Sequence, residues 1–118
     1  MIGEFTREYL QEAVQAEQEH DDKLHGKFHN HHEAWGVLKE EVEELKEVTA
    51  SFHREVDSEI EKLWKLIRKD RVEDFAEEDI SWIRGNALSI AKEAIQVVGM
   101  CDKWEDLIQG TKEEQTEE

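Results

Sequence analysis

Apolar residues in this 118-residue chain recur at three- and four-residue intervals, and no stretch alternates as a strand would. There is no proline and glycine is sparse, so long helices are permitted. The pattern predicts an all-α fold, a bundle of about four main helices. A first helix spans roughly Glu4 to Leu24, with Phe5, Tyr9, Ala13 and Ala16 along one stripe and Leu10 and Val14 widening it. A histidine-rich connection from His25 to Asn30 follows, with Gly26 as its breaker. Asn30 then caps a second helix, with Glu33 completing a capping box, and that helix is expected to end near Ala50. Ser58 and Glu61 offer a similar box for a short third helix to about Lys69, carrying Ile60, Leu63, Trp64 and Ile67. Phe52 and Val56 fit either neighbour. The charged stretch Lys69 to Glu78 reads as a loop, and Asp79 as the cap of a last helix from about Ile80 to Ile108. Residues 1–110 are thus expected to form a single domain, followed by a disordered acidic tail over 111–118.

Helical phase singles out one acid. Projected at roughly 100° per residue, Ala34, Val37, Leu38, Val42, Leu45, Val48 and Phe52 cluster on one face of the second helix. Glu41 falls near the middle of that face and Glu44 at its edge, while Glu43 and Glu47 point to water. A core-facing carboxylate is costly unless it is paired, protonated or bound to a cation. In the last helix, Ile83, Ala87, Ile90, Ala94, Val98 and Cys101 define the core face. Glu93 sits on its flank beside Asn86, Val97 and Met100, with Gln96 further round. If the two helices pack together, Glu41, Glu44 and Glu93 converge with Gln96 nearby. Such an all-oxygen set suits Mg²⁺ or Mn²⁺.

Composition narrows the partners. A net charge of −16 leaves no basic stripe to neutralise phosphates, which argues against nucleic acid and against an anionic membrane surface. At 37% hydrophobic and 39% charged residues the core is small, so oligomerisation is expected to supply part of the burial. No run approaches the roughly 18 apolar residues of a membrane span, and the acidic N-terminus resembles no signal peptide. The single cysteine, Cys101, lies in an apolar run and reads as a small hydrophobe with no electropositive neighbour. A cytoplasmic setting is the default expectation.

The stretch from His32 to Leu45, with Glu40, Glu41 and Glu44, resembles the Glu-Glu-x-x-Glu helix of the MazG-like, all-α nucleoside triphosphate pyrophosphohydrolases. Ala91 to Met100 is similar to the helix that carries their second motif, Glu-x-x-Asp, with Glu93 as its Glu. Two departures accompany the match. Gln96 stands where the motif has Asp, and about thirty extra residues lie between Val48 and Asp79. In the first respect the chain looks closer to a phage- and bacteria-associated subgroup with Gln in that place.

The resemblance implies a homodimer or homotetramer that uses Mg²⁺ to cleave a nucleoside triphosphate to monophosphate and pyrophosphate. It implies Glu41, Glu44 and Glu93 as metal ligands, with Gln96 as a ligand or an interface hydrogen-bonding residue. Glu40 would be a further ligand or, with Glu41, part of the catalytic machinery. Trp35 is a candidate for stacking on a base or for core packing. Lys39 and Lys92 are candidates for phosphate contacts or plain surface charges, and Asn86 is a further substrate-side candidate. Glu33 is read as a capping acid. The histidines His20, His25, His29, His31 and His32 match no standard zinc spacing. The alternative functions are a catalytically weak or inactive relative that binds nucleotide or metal, and an acidic helical, phage-associated interaction protein.

Overall fold

The computed structural model describes residues 3–117, apart from the side chains of Phe5, Gln115, Thr116 and Glu117. The chain is all-helical over those residues: α1 (Glu4–His25), α2 (His31–Arg68) and α3 (Val72–Glu117). It divides into two compact units, one of residues 1–43 with 93–118 and one of residues 44–92.

Local chemistry explains each helix end. Gly26 closes α1 with φ 71°, a left-handed conformation that glycine adopts freely, and its N–H donates to the Asp22 carbonyl at 2.9 Å. The expected capping box opens α2: the Glu33 N–H donates to Asn30 Oδ1 at 2.8 Å. The Glu33 carboxylate reaches back to the His29 backbone N–H at 3.2 Å and to His29 Nδ1 at 3.2 Å. The His29 ring contact, and then that backbone bond, hold the Glu33 carboxyl below its ordinary range.

The expected breaks near Ala50 and Ser58 do not occur, and α2 continues to Arg68 as one helix. The expected loop of ten residues shrinks to Lys69–Arg71, with Asp79 inside α3 rather than at its start. Three helices therefore stand where about four were expected. The reason is that Ser58 and Asp79 have the chemistry of caps but no accompanying breaker, since the interval from Gly36 to Gly85 holds neither glycine nor proline. The real turn is a Schellman motif with an aspartate in the usual glycine place. Asp70 has φ 55°, its N–H donates to the Ile67 carbonyl at 3.1 Å, and the Arg71 N–H donates to the Leu66 carbonyl at 2.9 Å. At the other end α3 runs on to Glu117, past the expected end near Ile108.

Within the second unit the two helix segments form a hairpin about this turn. Half-buried Leu45, Thr49, Phe52, Val56, Glu59, Leu63 and Leu66 follow one another at alternating intervals of four and three on α2. Ala76, Asp79, Ile83, Asn86 and Ile90 do the same on α3. This is the 3.5-residue repeat of a coiled-coil seam. Phe52 and Trp82 stack across it with centroids 6.0 Å apart. Three polar seam residues are satisfied locally: Thr49 Oγ1 donates to the Leu45 carbonyl at 2.8 Å, Asn86 Nδ2 to the Trp82 carbonyl at 2.8 Å, and Lys62 Nζ to Glu59 at 3.2 Å.

In the first unit Phe28, Ala34 and Met100 form the core, with Val37, Leu38, Trp104 and Leu107 packed around it. Lys103 of α3 is buried, with Nζ 2.6 Å from Asp21 Oδ2, 3.7 Å from Asp22 Oδ1 and 4.6 Å from the Phe28 ring centroid. The expected α1 stripe is covered in part, with Ala13 half-buried. Val14 is buried and Gln18, Asp21 and Asp22 are half-buried, whereas Tyr9 and Ala16 are exposed. Phe5 of that stripe lies outside the described side chains. No helix among the described residues is long and apolar enough to cross a membrane.

A non-glycine residue in the left-handed region carries a conformational cost, softened for aspartate. We therefore expect Asp70→Gly to raise unfolding stability by about 0.5–1 kcal/mol and Asp70→Val to lower it by a similar amount or more, as measured by urea denaturation.

Candidate metal centre

Side chains of the first unit bring the two expected motifs together. Glu41 of α2 and Glu93 of α3 are both half-buried, and a carboxylate oxygen of each lies within 4.8 Å of the other. The end of the Gln96 amide sits between them, 3.1 Å from Glu41 Oε2 and 3.1 Å from Glu93 Oε2. Facing two carboxylates, the amide turns its nitrogen to them and donates to both. Glu44, one turn after Glu41 on α2, is exposed. It is also the first residue of the second unit.

The phase of α3 explains why Glu93 is placed this well. The packed side of α3 in the first unit runs through Glu93, Val97, Met100, Trp104 and Leu107, again at alternating intervals of four and three. Of the face expected from a 3.6-residue period, Ile83, Ile90, Ala94 and Cys101 are half-buried, whereas Ala87 is exposed and Val98 is 47% exposed. A 3.5-residue repeat drifts about 20° per heptad from the straight-helix projection. Over the length of α3 that drift moves the supposed flank into the packed face and Val98 out of it.

The donor set fits a hard cation. All candidate ligand atoms are oxygens. Magnesium–oxygen bonds of about 2.0–2.1 Å place neighbouring ligands about 3.0 Å apart and opposite ones about 4.2 Å apart. The Gln96 contacts match the first spacing. Gln96 can serve either state of such a site, through its nitrogen to the carboxylates or through its oxygen to a cation.

One contribution was not anticipated. Glu17, Gln18 and Asp21 of α1 line a small cavity of about 90 Å³ together with Glu41, Ile95, Gln96, Gly99 and Met100. The i, i+4 spacing of Glu17 and Asp21 is the only trace of this in the sequence, and in so acidic a chain it is not distinctive. Comparison with known proteins adds nothing to the site. No protein-family model, no curated protein and no solved structure matches the chain.

The remaining candidates do not join this group. Glu40 is exposed. Trp35 is 58% exposed, outside the core, with Lys39 Nζ 5.7 Å from its ring centroid. Lys39 also pairs with Glu43 at 3.4 Å. Asn86 and Lys92 belong to the second unit, where Lys92 is exposed. Trp104 Nε1 donates to His31 Nδ1 at 3.0 Å, and no histidine among the described residues joins a metal-holding group. Burial, then the neighbouring Asp102 and Glu105, push the Cys101 thiol up, which leaves it a poor nucleophile.

Gln96→Leu removes the donor that separates Glu41 from Glu93. The metal-free variant is expected to lose about 1 kcal/mol, a Tm lower by about 4 °C, in a scan followed by circular dichroism.

Proposed function

We propose that the protein is a Mg²⁺-dependent nucleoside triphosphate pyrophosphohydrolase of the MazG-like, all-α type. One observation carries this reading: the meeting of Glu41 and Glu93, from two separate motifs, about a single amide end. Glu41, Glu93 and Glu44 would hold the cation, and Gln96 would add its oxygen. Bound there, Mg²⁺ (or Mn²⁺) supplies charge neutralisation and orientation at the triphosphate oxygens. Glu40, beside Glu41 and open to solvent, is placed in sequence to orient a water for attack between the α- and β-phosphates. Trp35 offers an exposed ring for a base, and Lys39 one turn on offers a cation for phosphate. A homodimer or homotetramer in the cytoplasm completes the reading.

The same amide favours a second reading, a relative that binds metal or nucleotide with little or no turnover. With its nitrogen on both carboxylates, Gln96 satisfies them without a cation and lowers the charge of the set relative to Asp.

A pyrophosphate-release screen over ribo- and deoxyribonucleoside triphosphates with Mg²⁺ and Mn²⁺ tests both. The first reading expects metal-dependent release that falls about 10²-fold or more in Glu41→Gln. The second expects no release from the native chain and a gain of activity in Gln96→Asp.

A further inference from the structure

The second unit carries a charge pattern found nowhere else in the chain. Against a net charge of −16, the ten residues from Lys62 to Arg71 hold five cations and one acid, Asp70. Immediately after the turn, Glu73 to Asp79 holds five acids and no cation. The two stretches are the facing ends of one hairpin, joined through Lys69–Arg71.

Both stretches also expose apolar surface. Ile60, Trp64 and Ile67 are spaced by four and three residues, on one side of α2, and are 53%, 51% and 56% exposed. On α3, Val72, Phe75 and Ile80 are 42%, 53% and 52% exposed. Among the described residues of this unit Ala76 is the one buried hydrophobic. Ile60, Trp64 and Ile67 leave on the order of 300 Å² of apolar surface on one side of α2, and on α3 the Arg71 guanidinium lies over the Phe75 ring, 4.5 Å from its centroid. A standard interface buries about 800 Å² per partner, polar rim included.

We propose that this hairpin end is a self-association surface. The basic, Trp64-bearing end of α2 in one copy packs on the acidic, Phe75-bearing start of α3 in a second copy. A two-fold interface presents the same patch from both sides, so a patch with one basic and one acidic half is complementary to itself. A membrane or nucleic acid would be drawn to Lys62–Arg71 and repelled by the acids beside it. A second copy answers both halves. The inference deepens the homo-oligomer of the proposed function by naming its surface, and it does not depend on the metal.

Sedimentation velocity on the full chain tests it, with circular dichroism to verify that each variant keeps its helix content. The native chain should form a dimer that weakens as salt rises. Lys65→Glu with Lys69→Glu, or Glu73→Lys with Glu77→Lys, should each weaken that dimer about tenfold or more. An equimolar mixture of the two variants should restore it as a heterodimer, which neither a folding defect nor a different interface would produce. A native chain that stays monomeric, a dimer indifferent to both reversals, or a mixture that stays apart overturns the proposal. So does a monomer that binds phosphatidylserine vesicles through Lys65 and Lys69, which would make a lipid surface the occupant. Mg²⁺ titrations of the same variants keep the two readings separate: rescue in the mixture without metal binding sinks only the metal centre.

Discussion

The structure depends on the packing of polar side chains inside a 3.5-residue helical repeat. Two-helix packing buries little, and among the described residues few hydrophobic side chains are fully covered. Under that constraint each polar residue in a packed position must find a partner close by. Thr49 and Asn86 turn to the backbone of their own helix, and Glu59 takes Lys62. Lys103 takes Asp21. Glu41 and Glu93 are different. They are acids on packed faces whose common neighbour is a neutral amide. Gln96 donates to both of them from one amide nitrogen.

Much of this was legible in the sequence because the signals were local. Asn30 with Glu33, Gly26, and the inward phase of Glu41 all act within one or two turns, and each stands where the pattern placed it. The convergence of Glu93 and Gln96 on Glu41 was reachable too, through phase and the spacing of the acidic motifs. What escaped was set by geometry that builds up over distance or by a residue in an unusual role. Asp70 fills a left-handed position without the glycine that would have announced it, so one tight turn read as a ten-residue loop. Ser58 and Asp79 look like caps but sit within unbroken helices. Ala87 and Val98 of the expected α3 face are exposed, because a 3.6-residue projection is accurate over two or three turns and drifts over ten.

The α1 contribution illustrates a further limit. Its packed side is dictated by Lys103 and by the small cavity near Glu41, that is, by partners from far along the chain. Nothing in the apolar stripe of α1 carries that information. Glu17, Gln18 and Asp21 add acids and an amide to the surroundings of a set already rich in carboxylates. Asp21 is already paired with Lys103, so of these three Glu17 is the one that adds to the local negative charge.

We propose that Glu41 and Glu93 form a cation site whose metal-free state is held by the Gln96 side chain. The most direct measurement is a Mg²⁺ titration followed by the Gln96 side-chain amide resonances in ¹H–¹⁵N NMR, assigned by their loss in Gln96→Leu. The account predicts a saturable shift of those resonances as the amide exchanges its carboxylate contacts for the cation, and its disappearance in Glu41→Gln. Gln96 resonances that do not move while Mg²⁺ is raised, or that move identically in Glu41→Gln, would contradict it.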